Sequence, residues 1–100
     1  MLQEAGKKLI TTLSELEIGS LTLTPTFSGS TLVYTATTEN ESDQITATPT
    51  ANYATVTIAS EDATIADDRT ATWAEGENVV NITVTDGDAS KTYKVTVTKS

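Results

Sequence analysis

The clearest pattern in the chain lies at its end. Val80, Ile82 and Val84 alternate with polar residues, Asp86-Gly87-Asp88 follows, and Tyr93, Val95 and Val97 alternate with Thr92, Lys94, Thr96 and Thr98. Period-2 alternation places one set of side chains on each face of a strand, and an Asp-Gly pair between two such runs predicts a β-hairpin. The turn reads as longer than the tight two-residue form. Shorter runs of the same kind recur upstream: Leu16 with Ile18, Leu21 with Leu23 and Phe27, Leu32 with Tyr34 and Ala36, Ile45 with Ala47, Val56 with Ile58, and Ala71 with Trp73. Gly19-Ser20 and the polar stretch from Thr38 to Asp43 separate some of them. About seven short strands spaced by turns within 100 residues predict an all-β sandwich.

Two prolines refine the picture. Pro25 and Pro49 lack the N–H a central ladder needs, so both are expected at edges or strand ends. Residues 60–69 are the most polar insertion and read as a loop held by Ile65 alone. Residues 1–12, with Leu2, Leu9 and Ile10 beside Lys7 and Lys8, read as an N-terminal arm or short helix, although Gly6 disfavours a long helix. The domain proper is then 13–100.

Composition narrows the chemistry. With no cysteine, neither disulfides nor thiolate metal sites are available, and with no histidine the usual neutral-pH general base and the commonest metal ligand are missing. The net charge of -8 is unevenly spread, with 13 acidic groups and Arg69 alone on the basic side between residues 9 and 90. Such a surface repels phosphate, so the reading is no nucleic-acid binding. No apolar run reaches the roughly 20 residues of a membrane span, so no membrane insertion is expected. The 22 threonines fall mostly on the polar phase of the strands.

Taken together, Leu13-x-x-Leu16-x-Ile18, Leu23-x-Pro25-x-Phe27, Tyr34, Trp73-x-x-Gly76-x-Asn78-x-Val80-x-Ile82-x-Val84 and Lys91-Thr92-Tyr93-x-Val95-x-Val97 resemble the cadherin-like β-sandwich family. These are immunoglobulin-like modules of bacterial surface proteins and tailed-phage virions, and the resemblance runs from about Leu13 to Lys99. It implies display, spacing or adhesion, and no catalytic residue or cofactor. Within that frame Leu21 and Leu23 are expected to line the interior and Phe27 to plug it. Gly76 supplies a positive-φ turn and Asn78 ties the turn backbone.

Several candidate sites compete with plain structural roles. Glu61, Asp62, Asp67 and Asp68, or Asp86 and Asp88, could supply oxygens to calcium. A hard cation needs about six to eight of them converging, and solvated acidic turns are the favoured reading. Paired carboxylates for glycoside hydrolysis need to face each other across a cleft that so small a sandwich seldom has. Trp73, in phase with Ala71, reads as core. Tyr53 is out of phase with Val56 and Ile58 and is the candidate ligand contact, able to stack on a sugar ring. A lysine–asparagine cross-link is disfavoured by lysines near the termini or on polar phases. Asn40-Glu41-Ser42 and Asn81-Ile82-Thr83 match the glycosylation pattern, which is short enough to arise by chance.

The expected function is therefore non-enzymatic: an immunoglobulin-like accessory or decoration module of a phage virion or bacterial surface protein, at the virion surface or outside the cell. Its expected partners are other virion or surface-protein subunits. An initiating methionine without an export signal favours a phage component whose arm docks to the particle. The alternative is a carbohydrate-binding module contacting a cell-surface glycan through Tyr53.

Overall fold

The computed structural model describes residues 9–100. Its longest elements are the two whose alternation was plainest: β7 (Gly76–Asp86) and β8 (Ala89–Lys99) pair antiparallel from Gly76↔Lys99 to Asp86↔Ala89. That register leaves Gly87-Asp88 as a two-residue turn, tighter than expected. Gly87 has φ 62°, the glycine-first geometry that matches the twist of the flanking strands.

Six further strands complete two sheets: β1 (Leu13–Ile18), β2 (Val33–Thr38), β3 (Ser42–Pro49), β4 (Thr55–Ser60), β5 (Thr64–Ile65) and β6 (Thr70–Thr72). Sheet one has the order β1-β3-β6-β5, and sheet two the order β2-β8-β7-β4, with β2 parallel to β8. This is the ABED and CFG arrangement of an immunoglobulin-like sandwich, extended by β2 beside the last strand.

The inward phases meet between the sheets. Leu13, Leu16, Ile18, Ile45, Ala47, Ala71 and Trp73 come from the sheet-one side, and Tyr34, Val80, Ile82, Val84, Tyr93, Val95 and Val97 from sheet two; all are buried. Leu13 and Leu16 break strict alternation, yet both face inward. A register shift between Leu13 and Glu15 supplies the extra residue that turns both to the core.

Two expectations need correction. The run from Leu21 to Phe27 is not a sheet strand: it makes one isolated bridge, Thr24↔Thr35, across the cis Thr24–Pro25 bond. This segment carries the chain from β1 in sheet one to β2 in sheet two, so it cannot follow either ladder. Its Leu21, Leu23 and Phe27 are half-buried against the margin of the core, with Phe27 stacked on Tyr34 at 5.9 Å. The polar stretch 60–69 is not wholly a loop, since Thr64 and Ile65 pair with Thr72 and Ala71. Ile65 packs half-buried against the core, but it is not the sole anchor, since Ala63 of the same stretch is buried. Of the two readings of the lead-in, arm or short helix, residues 9–12 take the arm and are not helical. The Ile10 amide donates to Asp86 Oδ2 at 2.8 Å, and the Thr50 amide donates to the Thr12 carbonyl. The remainder of the arm, residues 1–8, lies outside the described residues.

Candidate functional site

Every buried side-chain nitrogen or oxygen among the described residues has a hydrogen-bond partner, and these partners show what the polar residues do. Asn78 is fully buried. Its Oδ1 accepts from the Ala74 amide at 2.9 Å, and its Nδ2 is shared among the carbonyls of Ala74, Gly76 and Val97 at 2.9, 3.1 and 3.2 Å. One side chain thus closes the turn before β7, where Gly76 has φ 91°, and ties it to β8. The sequence reading assigned both residues these roles.

The two buried tyrosines fix the 19–32 crossover. Tyr93 donates to the Gly29 carbonyl at 2.6 Å and accepts from the Leu13 amide at 3.0 Å. Tyr34 donates to the Ser28 carbonyl at 2.6 Å and accepts from the Ser28 amide at 3.0 Å. Burial pushes the Tyr93 phenol above its ordinary range, because the charged form would lose its hydration.

Asp43 is the residue that sequence reasoning missed. Its Oδ2 accepts from the Trp73 indole at 2.9 Å and from the Thr38 hydroxyl at 3.3 Å, and its Oδ1 accepts from the Asn40 side-chain Nδ2 at 2.9 Å. Thr38 belongs to sheet two and Asp43 to sheet one, so the carboxylate joins the layers at one end. The available signal was the need of a buried indole N–H for an acceptor, with Asp43 on the strand that pairs with β6.

The acidic candidates do not converge. No group of three or more Asp or Glu among the described residues could hold a metal ion. Asp62 caps the Val79 amide at 3.0 Å, and Asp68 accepts from the Thr70 amide at 3.0 Å. Hydrogen bonds from the Thr70 side chain and backbone hold the Asp68 carboxyl below its usual value. Asp86 was expected in a solvated turn but is buried at the end of β7, tethering Ile10. A recess of about 300 Å³ contains Glu61 and Asp62 with Val79 and Asn81. These two carboxylates are chain neighbours on one turn, whereas two-carboxylate hydrolysis sets its pair on opposite sides of a bond.

Among the five aromatic side chains, Trp73, Tyr34 and Tyr93 are buried and Phe27 is half-buried, while Tyr53 is 56% exposed. Tyr53 lies in the turn between β3 and β4, which the Ala54 amide closes by donating to the Ala51 carbonyl. Asn40 is engaged with Asp43, and Asn81 faces outward in the middle of β7. Lys99 pairs with Glu75 at 2.8 Å, and this contact raises the ammonium above the usual lysine range.

Two four-stranded layers, with β2 running parallel to the last strand β8, and polar residues that brace the backbone define an immunoglobulin-like module. A family model for the cadherin-like beta sandwich domain matches residues 18–100, and the chain belongs to that family. Membership suggests a non-enzymatic module of structural or adhesion type. No curated protein matches the chain.

Proposed function

We propose that this domain is an accessory structural module displayed on a phage virion or a bacterial surface, where it decorates, spaces or weakly adheres. The observation that carries this reading is the division of labour among polar residues. Those inside are bonded to backbone or to one another, while the exterior carries threonine hydroxyls and scattered carboxylates. Such a surface stays soluble at high local density.

The geometry suits a spacer. Ile10 enters beside Asp86, and the Ser100 amide donates to the Thr38 carbonyl near the start of β7. Entry and exit are thus separated by the length of β7, about 33 Å at 3.3 Å per residue. Force applied through the two ends would run along the strands of sheet two.

Antibodies against the folded domain test display directly. Intact virions or cells of the source should bind them before lysis, and surface proteolysis should remove the signal. Labelling that appears only after lysis would refute display. The exposed Tyr53 favours one second reading, a glycan-binding module. A glycan array should then give binding that Tyr53→Ala abolishes.

A further inference from the structure

The sandwich has four edge strands, and three of them are guarded. β1 carries a bulge between Leu13 and Glu15 and the carboxylates of Glu15 and Glu17. β5 is two residues long and lies between Glu61-Asp62 and Asp67-Asp68. β2 is covered at Thr35, which exchanges two backbone hydrogen bonds with Thr24 at 2.8 and 2.9 Å. Charges, bulges, short length and cover are the devices that keep sheets from pairing with other chains.

β4 has none of them. Its sequence, Thr55-Val56-Thr57-Ile58-Ala59-Ser60, contains no charge and no proline. It pairs with β7 without a register shift, and among the described residues it has no other strand partner. Val56 and Ile58 remain half-buried at the open margin of the core.

We propose that β4 is a homotypic edge through which two copies of this chain join antiparallel about a twofold axis, making one continuous eight-stranded sheet. Opposed residues must share a face, so the axis passes through a residue rather than between two. Centring on Thr57 sets Val56 against Ile58 of the second copy, apolar on apolar. Centring on Ile58 would set Val56 against Ser60, so Thr57 is the favoured centre.

Charge selects the same seam. Two copies at -8 each repel one another, and most surfaces of this domain carry carboxylates. The outward rows beside β4 are Thr55–Thr85–Ser90, Thr57–Thr83–Thr92 and Ala59–Asn81–Lys94. Lys94 is their one charged residue. The Thr57-centred register also places Glu61 opposite Tyr53 of the second copy and Asp62 opposite Asn52, so the carboxylates do not face each other. This inference goes beyond surface display and does not depend on it.

Sedimentation velocity on the full chain, across concentration and salt, tests the pairing. A monomer–dimer equilibrium that tightens with added salt is expected, because salt screens the residual repulsion. Thr57→Lys should abolish the dimer by placing like charges directly opposite, without altering thermal unfolding at concentrations where the parent is monomeric. Thr57→Glu should do the same, and an equimolar mixture of the two variants should restore association. Thr35→Lys, on the covered edge, should leave the dimer intact. A chain that stays monomeric at every concentration and salt would overturn the proposal, as would a dimer insensitive to Thr57→Lys or a mixture that fails to associate. Slow exchange, in a monomer, of the β4 amides that point away from β7 would equally overturn it, by showing the edge covered from within.

Discussion

The indole nitrogen of Trp73 donates to Asp43 Oδ2 at 2.9 Å, joining the segment after β6 to the strand beside it. The same oxygen accepts from Thr38 of the other sheet, so removing this carboxylate loosens two layers at once. Trp73→Phe keeps most of the ring and loses the donor, at an expected cost of about 1 to 2 kcal/mol. Trp73→Ala should cost roughly 3 to 5 kcal/mol, since a large buried side chain is lost. Urea unfolding of both variants and of Asp43→Ala, arranged as a double-mutant cycle, measures the coupling. A coupling near zero would show that the pair contributes nothing.

Tyr93 should make the domain sensitive to alkali. Its folded-state pKa is raised by burial, so its contribution is fully present below the unfolded phenol value and is lost as pH rises through the folded one. The hydroxyl must keep its proton to donate to Gly29. Tyr93→Phe should therefore flatten the alkaline fall in stability, and should cost about 1 to 3 kcal/mol at neutral pH by orphaning the Leu13 amide and Gly29 carbonyl. An unchanged alkaline limb in the variant would assign the effect to another group.

Asp68 should respond in the opposite direction. Its folded-state pKa is depressed, so its contribution is present above the unfolded carboxyl value and disappears as pH falls through the folded one. Titration followed by carboxyl carbon chemical shift should give a value below that of an ordinary aspartate. Thr70→Ala should move it back up, and no movement would contradict the hydrogen-bond cause.

Residues 9–12 are attached to the sandwich but lie outside its core. Deleting residues 1–12 should leave a cooperative β fold, detected by circular dichroism. It should be less stable by about 1 to 3 kcal/mol, because the buried Asp86 and the Thr50 amide lose their partners. Complete loss of folding would place the lead-in within the core.

Strand positions were readable wherever alternation was uninterrupted. The β7–β8 pair and the inward Trp73 follow from period and turn chemistry alone, while the turn-tying Asn78 was read within the family resemblance. The crossover at Leu21–Phe27 was not readable, because its alternation reflects one side lying against the core margin, which a loop can do as well as a strand. β5 was hidden because two residues carry no periodicity, and Asp43 because its partners come from β2 and the segment after β6. Burial of Asp86 depended on the Ile10 amide, a contact spanning 76 positions along the chain.

The central claim is that the polar residues of this domain serve its architecture, and Asn78→Ala tests it most directly. Removing that side chain leaves the Ala74 amide and the carbonyls it served without their buried partner. Urea unfolding should show a loss of about 2 to 4 kcal/mol at neutral pH with the slope unchanged. A variant as stable as the parent, within about 0.5 kcal/mol, would contradict the account, because surface substitutions without structural partners behave that way.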